Sequence, residues 1–120
     1  MKNNVPKTAT LKEHFVARSP EVKATYEAIL QAVRKLGPVE EQVKKTSIHL
    51  VRRSAFAGIT TRSAYLILTV KADSNVESPR IHRREQASAH RWHLEIKLES
   101  PLTVDRELTG WLKKAYELSA

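Results

Sequence analysis

Arg91-Trp92-His93-Leu94-Glu95-Ile96-Lys97-Leu98 alternates without a break between polar and apolar residues. Trp92, Leu94, Ile96 and Leu98 point one way, and Arg91, His93, Glu95 and Lys97 point the other. Successive side chains of a strand face opposite sides of its sheet, so this stretch predicts a strand with one dry face and one charged, wet face. Arg80 to Glu85 just upstream reads as its partner, with Gln86-Ala87-Ser88-Ala89 as the hairpin connection.

The same period of two runs back through the chain. Ala64, Leu66, Leu68 and Val70 alternate with Tyr65, Ile67, Thr69 and Lys71, and Thr46, Ile48 and Leu50 alternate with Ser47, His49 and Val51. Ala55 to Thr60 is a further short strand, where Gly58 suggests a bulge or a close backbone approach. Asp73-Ser74-Asn75 marks a loop. The region from Val39 to Leu98 therefore predicts an antiparallel sheet of four to six strands.

Outside that region the period changes to that of a helix. Thr10-Leu11-Lys12-Glu13 fits a capping box, opening a short helix with Leu11 and Phe15 on one side. Ser19-Pro20 opens a longer helix carrying Val22, Tyr26, Ile29, Leu30, Val33 and Leu36, and Gly37-Pro38 closes it. A last helix starts near Val104, with Thr103 as its expected cap and Val104, Leu108, Trp111, Leu112, Ala115 and Leu118 as its stripe. Gly110 within it predicts a close approach to the sheet. Two amphipathic helices cover one face of a sheet, so the fold class is α+β, a two-layer sandwich of helices at both ends of the chain on one sheet face. Residues 1–9 read as a flexible tail and 10–120 as a single domain.

Composition narrows the function classes. The chain has 120 residues, 41% hydrophobic, with a net charge of +8 that favours anionic partners such as nucleic acid or another polyanion. The charge is uneven: Arg80, Arg83, Arg84, Arg91 and Lys97 stand against Glu85 and Glu95, whereas the chain from Leu102 onward balances. With no cysteine there are no disulfides and no thiolate metal sites. No apolar run approaches a membrane span, and the charged start lacks the apolar stretch of a signal peptide, so a cytoplasmic protein without a membrane partner is expected.

The covered face is expected to take Ile48, Leu50, Leu66, Leu68, Val70, Trp92, Leu94, Ile96 and Leu98. The open face keeps Lys45, Ser47, His49, Tyr65, Thr69, Lys71, His82, Arg91, His93 and Lys97, and is where function is expected. Lys45, His49, Arg91, His93 and Lys97 are the expected anion contacts, assisted by His82 and Tyr65, with the tyrosine available to stack on a base. Histidine charges near neutral pH, so anion affinity on such a face is expected to rise as the pH falls.

Several segments carry a resemblance. His14-Phe15, Ser19-Pro20-Glu21-Val22, Gly37-Pro38-Val39-Glu40, Lys45-Thr46-Ser47-Ile48, Phe56-Ala57-Gly58-Ile59 and Trp111-Leu112-Lys113-Lys114-Ala115-Tyr116 occur in that order. In this the chain resembles, over about residues 10–118, the bacterial family catalogued as domain of unknown function 5655. The resemblance implies no catalytic or binding residues. More distantly the chain is similar to YdhG-like and frataxin-like domains. Iron handling of the frataxin kind would call for an acidic ridge on the first long helix, where this chain has only Glu21 and Glu27 beside Lys23, Arg34 and Lys35.

Chemistry of other kinds has thinner support. His49, His82 and His93 could converge from neighbouring strands on a metal, although histidines on a wet face are usually just solvated; no metal site or cofactor is assigned. Ser47 and His49 share a face but stand about 7 Å apart, too far for a direct hydrogen bond. No nucleophile elbow, phosphate loop or carboxylate pair is present, so no catalytic residue is assigned. The leading expectation is non-enzymatic binding of an anionic partner, nucleic acid or acidic ligand. The alternatives are a protein-interaction or ligand-sensing module, monomeric or homodimeric, with Val51, Tyr65 and Ile67 as its apolar contacts, and an enzyme or metal-binding protein using the face histidines.

Overall fold

A computed structural model describes residues 10–120 of the chain; the expected tail, residues 1–9, lies outside the described residues. At the start of the described chain the predicted capping box is closed in both directions. The Glu13 amide donates to Thr10 Oγ1 at 3.3 Å and the Thr10 amide to Glu13 Oε1 at 2.6 Å. The turn it opens is a short 3-10 segment, Lys12–Phe15, with Leu11 and Phe15 packed against the core.

Helix α1 (Pro20–Arg34) begins where Ser19 and Pro20 place it. Proline suits the first helical turn because its missing amide would have no partner there. The Ser19 hydroxyl makes no capping bond; its amide instead donates to the Ser63 carbonyl at 2.7 Å, docking the helix start onto the sheet. Val22, Tyr26, Ile29 and Val33 form the buried face, with Leu30 and Leu36 beside it.

Six strands follow: β1 (Glu40–Val43), β2 (Ile48–Val51), β3 (Ala55–Thr61), β4 (Leu66–Ala72), β5 (Ile81–Ser88) and β6 (Arg91–Leu98). They form one antiparallel sheet in the order β1-β2-β3-β4-β6-β5. The register lines up apolar residues across it: Ile48, Ile59, Leu68 and Ile96 make one row, and Leu50, Ala57, Val70 and Leu94 the next. All eight are buried, and a fully buried aliphatic side chain contributes about 1.5–3 kcal/mol. Against these rows pack α1 and α2 (Arg106–Leu118), the latter through Leu108, Leu112, Ala115 and Tyr116. The result is the expected α+β sandwich with one sheet face left open.

The structure departs from the sequence reading at particular residues. The cap of α2 is Asp105, not Thr103: its carboxylate accepts from the Leu108 amide at 3.1 Å, while Pro101–Thr103 form a separate 3-10 turn. Gly110 is exposed, with nothing within 4 Å of where its Cβ would be, so it marks no close approach. Gly58 sits in regular register between His49 and Thr69; the irregularities fall instead between Leu50 and Val51 and within β5. The β5–β6 hairpin turns at Ala89-His90, because β5 continues through the expected connection to Ser88. Trp92 is on the covered side but only partly buried, since it pairs with Ala72 and Gln86 at the end of the sheet, where Ala72 is also only partly covered. Val51 is 8% exposed, so it offers no apolar contact to a partner.

Candidate functional site

The open face has a floor because small residues meet at its centre. His49, Gly58, Thr69 and Glu95 stand in one cross-strand row, and Lys71 and His93 are directly opposed in the neighbouring row. Gly58 has no side chain, and a Cβ there would meet only His49 Cδ2, at 3.7 Å. The missing bulk leaves a trough of about 610 Å³. Ser47, His49, Thr60, Arg62, Lys71 and His93 border it around Gly58 and Thr69, and among the described residues its lining includes no carboxylate.

Lys71 is held more firmly than a surface lysine. Its ammonium donates to Ser54 Oγ at 3.0 Å and to Ser119 Oγ at 2.8 Å, tying β4 to the β2–β3 turn and to the end of α2. Burial, and then the neighbouring Arg91 guanidinium, holds its pKa below the usual lysine range. Among the described residues no carboxylate stands within 4.0 Å of Lys71 or Arg62, whereas Arg34 and Arg80 have such partners.

The expected anion contacts divide into two groups. His49 and His93 line the trough, and Arg91 lies close enough to perturb Lys71. The others are not brought there. Lys97 sits 4.4 Å over the Tyr65 ring and 3.9 Å from Glu99, so the aromatic face expected to stack on a base is capped by a cation. His82 is 3.8 Å from Glu95, on the bulge of β5. Lys45 is exposed in the β1–β2 turn, outside the trough lining. The three-histidine convergence does not form: His93 lies 3.8 Å from Glu85 instead, and among the described residues no group of three His, Asp or Glu side chains could hold a metal ion.

Arg62, Lys71, Thr60 and Ser47 are the residues that the expected contacts omitted. Lys71 and Ser47 were legible as open-face residues by alternation, but no spacing rule sets a neutral-partnered lysine apart from a solvated one. Gly58 was the usable signal, as a glycine at the centre of a strand between two open-face polar strands.

A second concavity of about 200 Å³ lies beside α2, lined by Val76, Leu94, Trp111 and Leu118. Asp73, Lys114 and Glu117 border it with both signs of charge, so it lacks the single-sign field of the trough.

Among known proteins, the family model described as Domain of unknown function (DUF5655) matches residues 11–119. No curated protein and no solved structure matches the chain. No helix of the described residues is long and apolar enough to cross a membrane.

Proposed function

The chain belongs to the family described as domain of unknown function 5655, and from that premise we propose that it is a non-enzymatic module that binds an anionic partner on the open face of its sheet. The observation that supports this reading is the trough, bordered by Arg62, Lys71, His49 and His93 and, among the described residues, without a carboxylate in its lining. Cations gathered in a concavity reinforce one another's potential and raise the local concentration of anions. Lys71 adds a specific reason. Its charge is partly desolvated and, among the described residues, is met by hydroxyls, so a bound anion would supply an opposite charge.

Self-association by strand pairing at the β5 edge is the weaker reading. The outer edge of β5 is broken by two irregularities and carries His82, Arg83 and Arg84. Arg84 donates to the Val76 and Ser78 carbonyls, which places residues 76–78 against that strand. Bulges, charges and covering loops are the devices that keep a sheet edge from pairing.

The test is retention of the full chain on heparin and anisotropy of labelled oligonucleotides, both across a salt series. Binding that weakens with salt and is reduced in the Arg62→Ala and Lys71→Ala variants supports the reading. Absence of any anion binding at low salt overturns it.

A further inference from the structure

On the anion-binding reading above, we infer that the trough is a site for a small phosphomonoester with a hydroxylated body, a sugar phosphate in chemical class, seated over Gly58 with its phosphate at the Lys71–His93 end. The register sets its dimensions. From β2 to β6 the trough crosses three strand spacings, roughly 14 Å at the usual separation. Its volume of about 610 Å³ falls within the roughly 300–1,000 Å³ of small-molecule sites. A ligand shorter than that span, with one charged end, fits within such a space; a polymer backbone needs a track that continues past it.

The face does not continue as such a track. On the β5–β6 side three of the basic side chains stand beside an acid: His82 is 3.8 Å from Glu95, His93 3.8 Å from Glu85, and Lys97 3.9 Å from Glu99. Tyr65 lies beneath Lys97, which covers one face of its ring. At the trough, Lys71 and Arg62 have no carboxylate within 4.0 Å among the described residues.

The donors at the two parts of the trough differ in kind. At one end Lys71 and His93 are cross-strand neighbours and Arg91 lies two residues along β6, so ammonium, imidazole and guanidinium groups approach one region. That set matches the clustered oxygens of a phosphate monoester. Around Gly58, beside the His49 ring, stand the neutral hydroxyls of Ser47, Thr60 and Thr69, which both donate and accept and so match sugar hydroxyls.

Gly58→Val separates shape from charge. It fills the floor of the trough, alters no cation, and places a strand-favouring residue in the middle of β3. The experiment is a nitrogen-15 amide-shift titration of the full chain with ribose 5-phosphate, ribose, inorganic phosphate and a labelled oligothymidylate of about twelve nucleotides. The expected result is saturable shifts at Gly58, Thr69, Lys71 and His93 with ribose 5-phosphate, tighter than with inorganic phosphate and absent with ribose. Gly58→Val and Lys71→Ala should each weaken that binding by roughly tenfold or more. Because Lys71 also anchors Ser119, the amide spectrum of each variant checks its fold, and Gly58→Val decides the matter if Lys71→Ala does not fold. Oligothymidylate binding that Gly58→Val leaves unchanged, with no response to ribose 5-phosphate, overturns this inference and leaves the anion-binding reading standing. Ribose 5-phosphate binding no tighter than inorganic phosphate overturns the hydroxylated body. No response to any anion overturns both readings.

Discussion

The Tyr116 hydroxyl donates to the Pro38 carbonyl at 2.9 Å, joining the last turn of α2 to the chain reversal after α1 across 78 residues of sequence. The same ring stands edge-on to Phe56 at 5.3 Å and lies 4.3 Å beneath the Arg52 guanidinium. Tyr116 therefore fixes the two ends of the helical layer to each other and to the sheet. Gly37 is shaped by this contact: its φ is +151°, and a Cβ there would overlap the Tyr116 hydroxyl.

Gly37→Ala is accordingly expected to destabilise the fold by about 2 kcal/mol or more, combining the uncommon φ with displacement of Tyr116. Tyr116→Phe removes only the hydrogen bond and should cost about 1 kcal/mol. Urea denaturation of both variants checks the order. An alanine variant as stable as the parent would mean that this reversal is not closely packed.

Gly58→Ala should act in the opposite direction. The position is in regular sheet register with room for a methyl group, so the substitution is expected to stabilise by about 0.5–1 kcal/mol through lost unfolded-state freedom. Thermal unfolding reads this directly, and a lowered midpoint would show that Gly58 is constrained in a way its register does not reveal.

Trp92 and Leu94 provide a test of where the core ends. Leu94 is 1% exposed and Trp92 only packs at the margin of the cluster. Leu94→Ala should cost about 2–5 kcal/mol, and Trp92→Ala about 1–2 kcal/mol, below the 3–5 of a fully buried tryptophan. If chemical denaturation reverses that order, the margin of the core lies elsewhere.

Acid should weaken the attachment of the β4–β5 loop to α2. Arg80 Nη1 lies 2.8 Å from Asp105 Oδ1 and 3.1 Å from Glu107 Oε1, and Arg80 Nη2 donates to the Thr103 carbonyl at 2.7 Å. The Arg80 hydrogen bond, and then the Leu108 amide, hold the Asp105 carboxyl below its usual range. A depressed carboxylate contributes stability above its unfolded pKa, near 4, and loses it as the pH falls through the folded value. Asp105→Asn keeps a capping side chain but not the charge. Its deficit against the parent in urea midpoint should be present near neutral pH and should shrink progressively as the pH falls below about 4. A deficit constant across that range would assign the role of Asp105 to capping alone.

Much of the architecture was legible because burial imposes a period. The alternation of Leu66, Leu68 and Val70 and of Leu94, Ile96 and Leu98 identified the covered face, and those six residues are all buried. The two-way capping box at Thr10 and Glu13 was also legible, since its partners are three residues apart. Asp105 was overlooked as a cap because Thr103 has the same local chemistry, and the intervening 3-10 turn decides between them. Trp92 looked like core because its face is right; how far the helices reach along that face is not a property of β6.

The same division runs through the candidate site. Alternation alone placed His49, Lys71 and His93 on one face, because a strand's geometry leaves a side chain only two directions. Only the tertiary structure decided which of them share a space. Lys97 and Tyr65 meet because the β3–β4 turn brings Tyr65 beneath β6, and Lys71 reaches Ser119 from 48 residues away. The trough exists because the register sets Gly58 beside Thr69. Local sequence determines the face a residue takes, since that depends on its own backbone; neighbours across strands depend on register and order, which the packing of the whole sheet against its helices selects.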